Sequence, residues 1–165
     1  MNIIVKSILS ILFLTSIINL NGQVNYQKFR KTVLVKEIVD SLFVFGKWSE
    51  NGGEETHLKY LGQVTTTKGQ IFKILNYSWH WGLSHRATSR ILVFNGDNQY
   101  LGNYYVTMIF DLPTKMEDGK LIFRNTDGDC DKNLVTVIDL KNGLPKRFFR
   151  KCKGKMGDIY DFGSE

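Results

Sequence analysis

The pattern that most restricts the fold begins near Thr56, where aromatic and β-branched residues start to alternate with polar ones. Alternation with a period of two is typical of strands, and turn signals such as Lys68-Gly69 and Asn142-Gly143 separate the runs. Strands with such short connections pair antiparallel, because parallel pairing needs a long crossover. The predicted strands are His57–Thr66, Gln70–Trp81, Ser89–Phe94, Tyr100–Phe110, Lys120–Arg124, Leu134–Leu140 and Lys146–Lys151.

A helical spacing precedes the strands. Within Lys28–Phe45, Val35, Ile38, Val39 and Leu42 recur three or four residues apart, which predicts a helix. The predicted fold class is α+β, with this N-terminal helix packed on a curved antiparallel sheet of about six to seven strands. A small all-β barrel is the alternative.

The first 22 residues resemble a targeting signal. Lys6 supplies a positive charge, and the apolar run Ser7–Leu20 is shorter than the ~20 residues that a membrane-spanning helix needs. We therefore expect a signal peptide over 1–22, followed by a single β-rich domain over 23–165 with no transmembrane segment. This predicts a secreted or periplasmic protein, and an uncleaved membrane anchor is the alternative.

Export would determine the redox state of the two cysteines, Cys130 and Cys152. In an oxidising compartment an even pair of cysteines is expected to form a disulfide. These two flank a predicted hairpin, Leu134–Leu140 with Lys146–Lys151, whose turn is Asn142-Gly143. The two thiols would then be near neighbours in the ladder.

The first predicted hairpin can be given a register. A two-residue turn at 68–69 places Leu58 opposite Trp79 and Tyr60 opposite Tyr77, which produces one aromatic and aliphatic face. We expect that face to be buried in the core.

The same register predicts a histidine cluster. His57 falls opposite His80, and His85 follows in the next loop. Three imidazoles could bind zinc or serve in proton transfer, which is the basis for an alternative function as a hydrolase. Surface histidines without a ligand are the simpler interpretation.

Alternating acidic residues form a second candidate metal site. Asp127, Asp129 and Asp131 lie between Asn125 and Asn133, and calcium favours such oxygen ligands. The glycine and glutamate positions of an EF-hand are not matched, so a solvated turn is the simpler interpretation. If calcium binds, the chain would be a calcium-stabilised structural envelope protein.

The last predicted strand is basic. Arg147, Lys151 and Lys153 share one face of it with Phe149, which favours binding to a protein or another anionic macromolecule. Nucleic acid is not expected as a partner of an exported chain. Protection of a sheet edge by lysines is the alternative interpretation.

Adjacent tyrosines also bear on partner binding. Tyr104 and Tyr105 must project to opposite faces of a strand, so at least one should leave the core. An exposed tyrosine beside Arg86 or Arg90 would suit a protein interface.

The chain carries no nucleophile elbow, phosphate-binding glycine loop or clustered Cys/His motif, and its formal net charge is +6 at pH 7. We therefore predict a non-catalytic binding module, for example an inhibitor or immunity-type envelope protein, with no cofactor. The predicted contact residues are Trp81, His85, Arg86, Arg147, Lys151 and Lys153.

Overall fold

The computed structural model describes residues 26–164, so the predicted signal peptide over 1–22 lies outside the described residues. No helix in this part of the chain is both long enough and apolar enough to cross a membrane. A helix, α1, covers residues 26–36. The strands are β1 (Leu42–Gly46), β2 (Glu55–Thr65), β3 (Ile71–Trp81), β4 (Arg86–Asn95), β5 (Tyr100–Val106), β6 (Lys115–Glu117), β7 (Lys120–Arg124), β8 (Val135–Asp139), β9 (Arg147–Lys153) and β10 (Met156–Gly163).

These strands form two antiparallel sheets. The larger has seven strands in the order β1-β2-β3-β4-β5-β10-β9, and the smaller has three in the order β6-β7-β8. The predicted combination of a mainly antiparallel sheet with one helix is thus confirmed. In the large sheet β1 and β9 are the edge strands, and both sheets pair only antiparallel.

The predicted helix over Lys28–Phe45 was too long. It ends at residue 36, and Glu37 and Asp40 then adopt left-handed φ values of 49° and 61°, which a helix cannot continue through. The following segment, Leu42–Gly46, pairs with β2 as strand β1. Its alternating aromatic and β-branched residues favour a strand over a helix.

The large sheet is covered on two faces. On one face, α1 forms a helix-side core with β2, β3 and β4. On the other, β6–β8 forms an inter-sheet core in which Leu121 and Phe123 join Ile74 and Ile91. The helix-side core contains Val33, Leu34, Leu58, Tyr60, Leu75, Tyr77, Leu92 and Phe94.

The first hairpin was predicted with the wrong register. Leu58 pairs with Tyr77 and Tyr60 with Leu75, a displacement of two residues from the predicted pairs. One residue of the displacement comes from the turn, where Thr66 N–H donates to Gln70 O at 2.8 Å and leaves a three-residue loop. The two-residue turn was therefore incorrect.

The second residue of the displacement comes from a β-bulge between Tyr60 and Gly62. Gly62 has φ of 128°, a conformation that favours glycine. Because the total displacement is even, Leu58 and Tyr60 still project to the predicted apolar face. Beyond the bulge, Leu61 and Val64 belong to the inter-sheet core instead.

The predicted hairpin of β8 with β9 does not form. Gly143 N–H donates to Leu140 O at 3.0 Å, so the turn is present, but β8 pairs with β7 in the small sheet. After the turn the chain crosses to the large sheet, where β9 pairs with β10. Strand β10 was missed by the sequence analysis.

The predicted Cys130–Cys152 disulfide is confirmed. It joins the loop before β8 to strand β9, and Asp131 N–H donates to Cys152 O at 2.8 Å beside it. Asn125 Nδ2 reinforces the junction by donating to the carbonyls of Asp131, Lys151 and Cys152 at 2.9–3.2 Å. The disulfide therefore forms without the hairpin that was expected to bring the two thiols together.

Candidate functional site

The helix-side face of the large sheet is covered over only part of its width. Val33 and Leu34 of α1 are buried against β2, β3 and β4. Further across the same face, Tyr105 on β5, Phe149 on β9 and Ile159 on β10 are 54, 39 and 57% exposed. We call this uncovered region of β4, β5, β10 and β9 the open face.

The strand register fixes which side chains the open face displays. Arg90 lies opposite both Tyr77, a helix-side core residue, and Tyr105, so all three share the helix side. Phe149 pairs with Ile159, and the buried residues that alternate with them belong to the inter-sheet core. The open face displays Arg86, Arg90, Tyr105, Arg147, Phe149, Lys151, Lys153, Ile159 and Asp161.

The charge on the open face is mainly positive. Its five basic side chains, Arg86, Arg90, Arg147, Lys151 and Lys153, face one acidic side chain, Asp161. The Arg147 Nε lies 2.7 Å from Asp161 Oδ1. This ion pair is exposed to solvent and therefore contributes little to stability. It neutralises one of the five positive charges, and the net charge of the open face stays positive.

Two of the arginines make cation–π contacts with aromatic rings. The Arg90 guanidinium lies 5.2 Å from the centre of the Tyr105 ring, and Arg86 lies 5.7 Å from the Trp81 ring. Trp81 in turn stacks on Trp79 at 5.5 Å. These contacts orient the guanidinium groups at the surface.

The tyrosine prediction agrees with these positions. Tyr104 is 1% exposed in the inter-sheet core, whereas Tyr105 is exposed and lies under Arg90. Sequence alone could place one tyrosine outside the core, but the strand order was needed to put it beside β10.

The fold brings five of the six predicted partner-binding residues to one face. Trp81 and Arg86 pair directly across β3 and β4, on the same side as the basic residues of β9. His85 is separate from this set, because its ring stacks on Trp48 at 3.9 Å and contacts His80.

The predicted histidine cluster is present, although by a different pairing. His57 pairs with Ser78 in the ladder, yet its ring centre lies 4.4 Å from that of His80, and His80 lies 5.0 Å from His85. Together with Trp48 these rings form a continuous row, which we call the histidine stack. At the far end of the stack, His57 Nε2 is hydrogen-bonded to Glu55 Oε1.

Burial affects the protonation of His80, the middle imidazole of the histidine stack. Removal from water lowers the pKa of His80, and its neighbours His57 and His85 lower it further. The hydrogen bond from His57 lowers the pKa of Glu55. His80 Nε2 lies 3.1 Å from Ser78 Oγ, so the neutral imidazole could accept a proton from that hydroxyl.

Neither predicted metal set has the arrangement of a metal centre. Across residues 26–164, no group of three or more His, Cys, Asp or Glu side chains is placed to hold a metal ion. The acidic run instead caps its own turns: Asp127 Oδ1 accepts from Asp129 N–H at 3.4 Å and Asp131 Oδ1 from Asn133 N–H at 2.9 Å.

The sequence analysis missed two contributors to these sites. Trp48 lies in a polar, glycine-rich segment that the sequence analysis did not single out, and its Nε1–H donates to Gly82 O at 2.7 Å, which fixes that segment to the β3–β4 turn. A tryptophan within such a polar segment was the available signal. Ile159 was missed because β10 itself was missed.

No known protein family, curated protein or solved structure matches this chain. Its function must therefore be inferred from the chemistry of the open face and the histidine stack.

Proposed function

We propose that this chain is an exported, non-catalytic binding protein that holds the acidic surface of a protein partner against the open face. The observation that carries the proposal is the meeting of five basic side chains and three exposed apolar ones on one uncovered sheet face. An inhibitor or immunity-type role in the cell envelope fits such a module.

The composition of the face favours a protein over a simple polyanion. Tyr105, Phe149 and Ile159 lie between the cations, and a polyanion would leave their apolar surface without a complementary contact. Aromatic residues and arginine are the residue types that dominate binding energy in protein interfaces. The surrounding cations would steer an acidic partner and fix its orientation.

Two features support export. The disulfide between Cys130 and Cys152 is typical of oxidising compartments, and the first 22 residues have the pattern of a signal peptide. The natural place to look for the partner is thus the periplasm or the medium of the producing cell.

Charge reversal tests the proposed face directly. The protein purified from its own exported fraction is used to capture partners, which are identified by mass spectrometry. The combined substitutions Arg147→Glu, Lys151→Glu and Lys153→Glu should abolish capture of an acidic partner, because repulsion replaces attraction. A matched control reverses three exposed lysines elsewhere: Lys47→Glu, Lys68→Glu and Lys141→Glu.

The purified partner then allows a second measurement. Hydrogen exchange in the complex should show protection on β4, β5, β9 and β10, and Tyr105→Ala should weaken binding by about tenfold or more. Equal capture by the test and control variants would refute the proposal. Binding of heparin or anionic vesicles with no protein partner would assign the face to a different class of ligand.

Edge protection is the competing interpretation of the basic strand, because β9 is an edge strand. It predicts that neutralising the same three residues to Gln causes aggregation at high protein concentration. It predicts no loss of a specific partner, so the two interpretations separate in one set of variants.

A second candidate function, a hydrolase, is favoured by one observation. Ser78 Oγ lies 3.1 Å from the Nε2 of the buried His80, as in a nucleophile paired with its base. A fluorophosphonate probe should then label Ser78, and the labelling should disappear in Ser78→Ala and His80→Ala. Folded protein that remains unlabelled would rule this candidate out.

A further inference from the structure

A pocket of about 840 Å³ lies on the helix side of the large sheet, where α1 meets the border of the open face. Buried Leu34 of α1, Tyr77 of β3 and Phe94 of β4 form its apolar floor. The volume is in the range that small-molecule sites usually have. The residues of its walls that matter below are Tyr26, Arg30, Trp79 and Tyr100.

Arg30 is a partly buried cation without an anionic partner. Its guanidinium carbon lies 5.1 Å from the centre of the Tyr100 ring and 5.8 Å from that of the Tyr77 ring. In the part of the chain that the structure describes, its side chain takes part in no ion pair or hydrogen bond. A guanidinium in such a place gains from a carboxylate, because a charge-assisted hydrogen bond is stronger where water is excluded.

The end of this guanidinium can be reached from the pocket. Nε is the atom of Arg30 that is fully buried without a partner, whereas Nη1 and Nη2 are not among the fully buried atoms. The two Nη atoms can donate side by side to the two oxygens of one carboxylate. A ligand therefore pairs with Arg30 without any movement of the walls.

The surroundings hold Arg30 in this position. The hydroxyl of Tyr100, one of the two flanking rings, accepts a hydrogen bond from Asn103 Nδ2 at 2.8 Å. Helix α1 is fixed to the sheet by Phe29, whose ring stacks on that of Phe45 at 4.3 Å. The cation is thus oriented before a ligand arrives, which lowers the cost of binding.

The walls beyond Arg30 are aromatic. Trp79 follows Tyr77 by two residues on the same face of β3, which places the two about 7 Å apart along the strand. Tyr26 lies one helical turn before Arg30 on the same side of α1. Trp79 Nε1 already donates to Glu54 Oε2 at 3.2 Å, so this side chain offers mainly the apolar surface of its ring.

The charges at the pocket favour an organic anion. Three cations, Arg30, Lys31 and Arg90, line it together with one carboxylate, Asp97. A positive balance of this kind disfavours cationic ligands. An inorganic anion would leave the apolar floor and the aromatic walls uncovered, so the complementary molecule carries both a negative charge and an aromatic ring.

We infer that this pocket binds a small aromatic carboxylate, whose carboxylate accepts hydrogen bonds from Arg30 Nη1 and Nη2 and whose ring packs against Trp79 and Tyr26. The inference goes beyond the proposed function, because the ligand is a small molecule and not a protein. Arg147, Lys151 and Lys153, whose reversal tests the open face, do not line the pocket. The two proposals can therefore fail separately.

Four probes test the inference on the unmodified protein: 3-phenylpropionate, 3-phenyl-1-propanol, propionate and inorganic phosphate. The alcohol lacks the charge, propionate lacks the ring, and phosphate keeps only a charge. NMR titration of isotope-labelled protein should give saturable binding of 3-phenylpropionate, with shifts confined to the amides of 26–34, 77–79 and 97–100. The other three probes should each bind at least about tenfold more weakly, because each lacks the charge-assisted pair or the buried ring.

Two basic residues of α1 provide matched variants. Arg30→Gln should reduce the affinity for 3-phenylpropionate to that for the alcohol, whereas Lys28→Gln, an exposed residue outside the lining, should keep it. If Arg30→Gln does not fold, the four probes on the unmodified protein still decide. Absence of binding, equal affinity for 3-phenylpropionate and any other probe, unchanged binding in folded Arg30→Gln, or shifts located elsewhere would each overturn the inference.

Discussion

The two halves of the helix-side face differ sharply although they belong to one sheet. In the covered half, Leu58, Leu75 and Leu92 are fully buried beneath α1. In the open half, Phe149 and Ile159 stand exposed among basic residues. The same kind of surface is thus a core in one half and an accessible surface in the other.

The difference can be recognised in the strands themselves. Strand β3 is buried without interruption from Phe72 to Ser78, because both of its faces are covered. Strand β9 alternates between exposed and buried positions, since only its inter-sheet face is covered. Clean alternation in one strand of a two-layer protein therefore indicates where one face of the sheet has been left uncovered.

The largest effect on this comparison is expected from removing the ion pair that fixes the open half on its inter-sheet side. Arg150 of β9 is 1% exposed and forms an ion pair with Asp111 at 2.7 Å. Asp111→Ala leaves a buried cation without its partner and should lower the free energy of unfolding by about 3–5 kcal/mol. Urea unfolding measures the loss, and hydrogen exchange should show β9 and β10 opening before β2 and β3. A change below 1 kcal/mol would contradict the assigned role of the pair.

Truncating one leucine or isoleucine in each half gives the next largest contrast. Leu75→Ala removes a side chain buried on the covered half and should cost about 2–5 kcal/mol. Ile159→Ala removes one that is 57% exposed and should change stability by no more than about 0.5 kcal/mol. Thermal and urea unfolding of both variants test the pair. Similar losses would mean that the open half is covered in solution.

The disulfide should matter somewhat less. Replacing the cysteines together, Cys130→Ser with Cys152→Ser, should cost about 2–4 kcal/mol, mainly because the unfolded chain gains freedom. Urea unfolding under oxidising and reducing conditions measures it, since the double variant should be insensitive to the reductant. If the reductant still lowers the stability of the double variant, its effect does not come from this disulfide.

The smallest expected effect is a pH dependence at the histidine stack. Because the folded pKa of His80 lies below its ordinary value of 6.5, the unfolded chain takes up a proton first as the pH falls. The free energy of unfolding should therefore decrease as the pH drops through about 6.5 towards that lowered value. Unfolding measured between pH 7 and pH 5 should show the slope, and His80→Gln should remove it.

His85→Gln provides the control for this slope. Burial is the main cause of the lowered pKa of His80, and the charge of His85 is a smaller one, so most of the pH dependence should remain. An unchanged slope in His80→Gln would assign the titration to another group.

Sequence reasoning succeeded where local patterns decide the structure. The bounds of β7 were predicted as Lys120–Arg124 and observed as such, and the apolar face of Leu58 and Tyr60 was identified despite a wrong register. Alternation and turn residues are properties of a few neighbouring residues, so they can be recognised without knowing the fold.

Sequence reasoning failed where contacts between distant segments determine the structure. The Asn142-Gly143 turn forms, but whether β8 pairs across it depends on β7 and β10, which compete for the two strands. For the same reason the open face could not be assembled in advance. Sequence reasoning identified both the basic strand, β9, and the arginine-bearing strand, β4. These two strands share one surface only because β5 and β10 lie between them.

The cross-link at Cys152 has a mechanical consequence for strand β9. An outermost strand has a ladder on one flank only, so pulling or thermal agitation would be expected to peel it away first. The sulfur bridge ties that strand to the loop that leads into β8 of the small sheet, so tension on β9 is shared with this loop instead of being resisted by hydrogen bonds alone. The open face, which we propose as the binding surface, is thereby kept in shape while it is under strain.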